Sequence, residues 1–329
     1  GIEAVLSHAN VYRLEEEPQS EAEHPQNVLN KEVTISDLVF MIGPRINAAG
    51  RLEKASDSVR LLIADKKEHA DKLASSINDL NVRRREFDNK ITEEALAMIE
   101  QNERLRNAKS TVIFNENWHK GVIGIVASRL TDSYYRPTIV LTRSNNLITG
   151  SARSIKNFDI YDAIDNCSDL LEHFGGHKYA AGLSLKPENL EEFSRRFEEY
   201  VANNIDKEEL IPELNVDLEI DFSDITPKFV RVLKQFAPFG PGNMAPVFLS
   251  RNVVDTGLSR SVGNKKHLKL TITQRHNPTL VLAGIAFQKG DDYLRVHSKE
   301  PFSICYCIEK NFWQGKTNLQ LNVKDIKFE

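Results

Sequence analysis

Thr111-Val112-Ile113-Phe114, then Trp118-His119-Lys120-Gly121-Val122-Ile123-Gly124, then Thr138-Ile139-Val140-Leu141: these three runs decide the fold of the middle of the chain. The first and third are short apolar runs of the kind that form buried strands. The second is a glycine-bearing turn opening a helix over 125–130, which ends near Tyr135-Arg136-Pro137. Strand, helix and strand in that order, repeated through about residue 204, predict a compact α/β domain. A hairpin turn is expected at Ser144-Asn145-Asn146, and a strand at Leu147-Ile148-Thr149-Gly150-Ser151-Ala152-Arg153-Ser154. A helix is expected over 161–173, delivering Gly175-Gly176-His177, with a strand over 181–185 and an acidic amphipathic helix over 187–203 after it.

Upstream, residues 2–6 begin a helical pattern, followed by an acidic loop with Pro18 and Pro25. A helix capped by Thr34 or Ser36 then leads into Gly43-Pro44-Arg45-Ile46-Asn47-Ala48-Ala49-Gly50-Arg51-Leu52. From 65 to 101 one uninterrupted helix is predicted, with Leu73, Ile77, Leu80, Phe87, Ile91, Ala95 and Met98 at steps of three or four. It reads as a connector between two domains, with Arg84 on its apolar seam. Downstream of a linker over 206–212, strands are expected over 214–220, 247–258, 268–273, 280–287, 302–308 and 318–328. One helix, over 227–236, interrupts them. That many strands in so short a stretch suggest an OB-fold barrel.

The 329 residues exceed one ordinary core, so two or three domains are expected. Composition is that of a globular protein, no apolar run is long enough to span a membrane, and the opening residues do not read as a signal peptide. The chain opens at Gly1 directly into an apolar pattern, which reads as the interior of a longer protein. Cys167, Cys305 and Cys307 lack zinc-site spacing and read as buried free thiols in a reducing cytoplasm. With a net charge of -4, nucleic-acid binding would need local basic patches.

No phosphate loop, nucleophile elbow or two-metal carboxylate cluster is present. Asp159, Asp162 and Asp165 fall on one helix face, and Asp217, Glu219 and Asp221 alternate along a strand; both read as solvated surface. What the chain does offer is donors for anions. His119 precedes a helix whose free amides favour phosphate. Ser151 and Arg153, two apart in a strand, share one face. Gly175 and Gly176 form a turn that allows a ligand close to the backbone, and His177 adds a donor, or else the glycines end a helix with an exposed histidine after them. Arg45, Asn47 and Arg51 suit phosphate, or else a helix corner whose arginines pair with acids; Arg84, in the basic run 83–85, suits a helix lining a nucleic-acid groove, or else a solvated basic face. In the barrel, Lys266 and Lys269 beside a strand and the aromatics of Phe312-Trp313-Gln314-Gly315-Lys316 suit single-stranded nucleic acid, or an ordinary wet loop.

The stretches 43–51, 118–130, Ser151-Ala152-Arg153-Ser154 and Gly175-Gly176-His177, in this order, resemble the RecJ family of single-strand-specific 5′→3′ exonucleases in the DHH phosphoesterase superfamily. Phe236-Ala237-Pro238-Phe239-Gly240-Pro241-Gly242-Asn243 resembles the segment that introduces that family's OB-fold. The resemblance implies four parts: the end of a DHH domain (1–64), a long connecting helix (65–104), an α/β DHH-associated domain (105–208) and an OB-fold (209–329). It implies a single-stranded DNA substrate, a cytoplasmic setting, roles in DNA repair and recombination, and a single-strand-binding protein or helicase as partner. It implies that Ser151 and Arg153 recognise a 5′-phosphate and that His177, as the catalytic residue, lies by the scissile phosphate, with Ser154, Gly175 and Gly176 also binding substrate. Arg45, Asn47 and Arg51 would sit close to the DNA path at the domain junction. The family's Asp-His-His motifs, which hold manganese or magnesium, are absent from these 329 residues. The resemblance therefore implies a substrate-binding portion without metal ligands, inactive alone. A phosphodiesterase of the same superfamily acting on short oligonucleotides or cyclic dinucleotides is the alternative, against which the barrel argues. A binding module with no catalytic parent is the other.

Overall fold

The computed structural model describes residues 1–9, 12–13, 28–29, 33, 35–240, 242–313 and 316–328, and these form two compact units, Gly1–Pro212 and Glu213–Glu329. The expected caps at Thr34 and Ser36 and the side chains of 312–317 lie outside the described residues.

The first unit opens with α1 (Ile2–His8). A helical turn, Ile35–Asp37, passes through a π-helical stretch, Leu38–Ile42, into α2 (Gly43–Leu52), and α3 (Ser56–Leu62) follows. The long helix is α4 (Lys67–Gln101), 35 residues without proline or glycine, about 52 Å at 1.5 Å per residue. It is core along its length. Ala70, Ala74, Ile77 and Leu80 pack with α1, α2 and α3. Ile91, Ala95 and Ile99 join a second core.

After α5 (Glu103–Asn107) comes a five-stranded sheet of β1 (Thr111–Phe114), β2 (Thr138–Ser144), β3 (Leu147–Arg153), β4 (Leu171–His177) and β5 (Ala180–Leu185). Its order is β1-β2-β3-β5-β4, with only the β1–β2 pair parallel. Alternation assigns its two faces. Ile139, Leu141, Ala152, Ala181 and Leu183 point to one core, filled by α7 (Ile160–Asp165) and Phe193 and Phe197 of α8 (Leu190–Asn204). Ile113 and Val140 point to the other, beneath α6 (Ile123–Tyr134) and the C-terminal half of α4.

The helix expected over 161–173 is a correction. α7 stops at Asp165, and Leu171–His177 is a strand at the sheet edge. Pairing outweighs local helical spacing here: β4 zips to β5 through a two-residue turn at Lys178-Tyr179, and a side chain at Gly176 would strike the Ala180 carbonyl at 2.3 Å. Gly175-Gly176-His177 is thus the end of a strand, neither a helix cap nor a glycine turn.

The second unit contains β6 (Leu218–Glu219), α9 (Pro227–Gln235), β7 (Phe248–Asp255), β8 (Arg260–Val262), β9 (His267–Gln274), β10 (Asn277–Ala286), α10 (Tyr293–His297), β11 (Phe302–Trp313) and β12 (Lys316–Phe328). The ladder β9-β10-β12-β11-β7 closes on itself through a β9–β7 pairing, giving a five-stranded barrel. The strand expected over 214–220 is only two residues long, because Asp217 and Asp221 turn their side chains back onto backbone amides. The Tyr306 hydroxyl, buried in the barrel, bonds Ser250 at 2.8 Å, and burial pushes its pKa up to about 12.

Candidate functional site

The site is built where α6 begins. Val122 N–H is taken by the His119 carbonyl and Ile125 N–H by that of Val122. The amides of Ile123 and Gly124 are left in the free first turn. Gly124 faces β3: a Cβ there would stand 3.2 Å from Arg153 Nη2 and 3.3 Å from Ser151 Oγ. Ser151 and Arg153 do share one face of β3, and it is this face. Ser128, one turn along α6, accepts from Arg153 Nε at 3.2 Å, and Arg153 Nη1 donates to the Ala152 carbonyl at 2.7 Å. Nη2 is thereby held toward the helix start. The result is a small cleft edged by two amides, a hydroxyl and a guanidinium, which is the donor set of a phosphate or sulfate receptor.

Gly121 brings α2 to the same place. A Cβ there would lie 2.0 Å from the Arg51 carbonyl oxygen, so only glycine fits, and Arg51 Nη1 donates to the Gly121 carbonyl at 3.2 Å. His119 Nδ1 accepts from Gly121 N–H at 3.1 Å, and its ring stacks on Phe87 of α4 with centroids 5.6 Å apart. Gly121→Ala should therefore lower stability by about 1–3 kcal/mol, since the clash is with backbone and no rotamer relieves it. A thermal melt checks this; an unchanged melting temperature would show that α2 can withdraw freely.

Burial, then the neighbouring Arg51, pull the Arg153 guanidinium below its ordinary pKa. Among the described residues neither Arg51 nor Arg153 has a carboxylate partner. A pair of adjacent cations with no carboxylate in direct contact favours an anion.

Across the sheet, Ser151 stands opposite Gly182 and Gly182 opposite Gly175; Arg153 stands opposite Ala180 and Ala180 opposite His177. Residues directly opposite share a face. His177 is therefore on the Arg153 face, two strands away, roughly 10 Å at normal strand spacing. Between them the strands carry only glycine and alanine, and Gly175, Gly182 and His177 are exposed. The Tyr179 amide donates to His177 Nδ1 at 3.2 Å. This is a bare shelf leading from the cleft to a histidine.

The other sequence-derived candidates divide. Arg45 donates to Asn78 Oδ1 at 3.0 Å and to the Met41 carbonyl at 2.8 Å, making a helix corner. Ser154 Oγ donates to the Phe158 carbonyl at 2.8 Å. Arg84 is turned onto Asn81 and Asp88. Asn47 is exposed. Lys266, in the turn before β9, and Lys269, exposed on β9 between Arg260 and Ile285, belong to the barrel unit. Sequence reasoning missed Gly124, Ser128 and Arg129; Gly124 and Ser128, four apart, offered the signal of one helix face. No three His, Cys, Asp or Glu side chains converge among the described residues.

Two domain models match. Residues 107–203 match the DHHA1 domain, and residues 216–325 match the RecJ OB domain. The chain thus carries a DHHA1-like region followed by an OB-like region. The single-stranded-DNA-specific exonuclease RecJ of Bacillus subtilis is 36% identical over 288 residues, which is 87% of this chain and 36% of the relative. That of Haemophilus influenzae is 32% identical over 306 residues, covering 90% and 52%. The crystal structure of RecJ from Thermus thermophilus in complex with Mg2+ superposes with a TM-score of 0.76 at 27% identity, covering 90% of this chain and 44% of that one. Its Mn2+ complex matches with the same score. The chain is RecJ-like, corresponding to a part of RecJ that holds the DHHA1 and OB domains. It spans between about a third and a half of the length of these curated relatives.

Proposed function

We propose that the chain is the substrate-binding part of a single-strand-specific 5′→3′ DNA exonuclease, and that the cleft at the start of α6 holds the 5′-terminal phosphate. The observation that carries this reading is the crowding of Arg51 and Arg153, without a carboxylate, beside Ser151 and a helix start kept bare by Gly124. Arg153 supplies its Nη2 to the phosphate oxygens, Ser151 a hydroxyl, and the Ile123 and Gly124 amides two further donors. The glycine shelf passes the strand backbone toward His177, which donates to a phosphate near the bond to be cut. His119 and Arg51 border the entry, and Lys266 and Lys269 bind phosphates on the barrel. The relatives' names supply the substrate, and RecJ structures holding Mg2+ or Mn2+ support a divalent ion in the whole enzyme. The described residues do not converge into a metal cage, and their part is to bind and orient.

Purified protein should bind a single strand bearing a 5′-phosphate about 100-fold more tightly than its 5′-hydroxyl twin at fixed salt, measured by fluorescence anisotropy. Equal affinity would remove the terminal pocket. Added Mn2+ should give no digestion of either strand, and EDTA-sensitive degradation would show that the chain carries its own catalytic centre.

A further inference from the structure

Asp88 of α4 is fully buried, and two arginines from different helices meet on it. Arg129 of α6 donates from Nη2 to Asp88 Oδ2 at 2.7 Å, and Arg84 Nη1 lies 3.6 Å from the same oxygen. Arg129 also donates from Nη1 to Asn89 Oδ1 at 3.1 Å, and Arg84 from Nη2 to Asn81 Oδ1 at 2.8 Å. The second carboxylate oxygen and the Thr92 hydroxyl are both buried, and Thr92 favours the charged form of Asp88 less than either arginine does.

This network is poorly made for stability. A carboxylate that gained from its ion pairs would be held below the ordinary range; here burial outweighs Arg129 and Arg84 and lifts Asp88 above it. As pH rises from the ordinary carboxylate range through the raised value, the folded chain must release a proton that the unfolded chain has already lost, so stability falls. The buried charge is thus weak support for folding, which leaves room for a second role. Its surroundings suggest which. Arg51 donates to the Gly121 carbonyl just before α6, Arg153 to Ser128 on α6, and Arg129, the next residue, meets Arg84 on Asp88, so one basic cluster runs from the cleft to the α4–α6 seam. Arg84 is nearly buried, whereas Arg129 is 44% exposed and follows directly on Ser128, which holds Arg153.

We propose that Asp88 is a positioning residue for nucleic acid: it fixes Arg129, backed by Arg84, so that Arg153, Arg51 and Arg129 form one track for successive phosphates of a single strand. The inference rests on the phosphate reading of the cleft. It has a counter-intuitive consequence. Removing a negative charge beside a polyanion site ordinarily tightens binding. Freeing Arg129 from its anchor does the reverse.

The test measures affinity of the purified protein for 5′-phosphorylated and 5′-hydroxyl single strands over a series of salt concentrations. Asp88→Asn should weaken binding of both strands about tenfold and make the plot of log affinity against log salt shallower by about 0.7, the value of one phosphate contact on a single strand. Tighter binding, or an unchanged slope, overturns the proposal. Should circular dichroism show that Asp88→Asn does not fold, Asn89→Ala decides, since it removes only Arg129's second anchor from an exposed position: about threefold weaker binding with a shallower slope is expected, and an unchanged slope overturns. Absence of any 5′-phosphate preference in the unmodified protein would overturn the terminal pocket instead. The Asp88 effect is then read on the 5′-hydroxyl strand, where an unchanged slope again overturns it.

Discussion

Arg153→Ala is expected to erase the distinction between 5′-phosphorylated and 5′-hydroxyl strands, weakening the phosphorylated one about 100-fold while leaving the other within about threefold. Losing one partner of a buried charge pair costs about 2–5 kcal/mol, and a 100-fold loss is about 2.7 kcal/mol. The specificity of the effect follows from the geometry. Arg153 Nε and Nη1 are occupied by Ser128 and the Ala152 carbonyl, so Nη2, aimed at the start of α6, is the part left for a ligand. Arg153→Lys should restore little, because a point charge cannot reproduce the fork or the Ser128 bond. Ser128→Ala should cost about tenfold, by letting the guanidinium swing. Equal losses on both strands after Arg153→Ala would mean that the residue supports the sheet rather than the strand end.

The second large effect concerns folding. Arg136 is buried where α5 turns into β1. Its Nε donates to Thr111 Oγ1 at 2.7 Å, Nη2 to the Leu105 carbonyl at 2.7 Å, and Nη1 to the carbonyls of Arg106 and Ala108. Those carbonyls form the end of a short helix, which cannot satisfy them itself. Burial pulls the guanidinium below its ordinary pKa, with Glu198 and Tyr134 opposing. Arg136→Met keeps the bulk but leaves several buried acceptors unpaired. We expect a loss of about 3–5 kcal/mol from the first unit. Hydrogen exchange reads this locally: amides of Thr111–Phe114 should lose protection by two orders of magnitude or more. Full protection would show that water replaces the side chain at little cost.

The legible parts of this molecule are those whose signal is local. β1, β2 and β3 announce themselves as apolar or alternating runs, and the shared face of Ser151 and Arg153 follows from strand period alone. The long helix is written in its own spacing. The number of barrel strands is nearly readable, although their order and the closing β9–β7 pairing are not properties of any one strand. β4 was not readable, because its helical spacing is overruled by a partner later in the chain. Donors were equally ambiguous: Arg45 and Ser154 carry the same atoms as Arg153, yet the fold uses theirs on Asn78 and Phe158. Gly124 and Asp88 acquire meaning only through elements packed against them.

One consequence follows from α4 serving two cores at once. Between Leu80 in the first core and Ile91 in the second, the helix is an unbroken rod, and it fixes their rotational phase as well as their spacing. Inserting a single residue in that interval would turn one core against the other by about 100° and move it about 1.5 Å, whereas seven residues would restore the phase almost fully at about 10 Å greater separation. The helix acts as a keyed shaft. Arg51 and Arg153 come from opposite ends of it, and their meeting at Gly121 and Gly124 depends on that key as much as on the glycines.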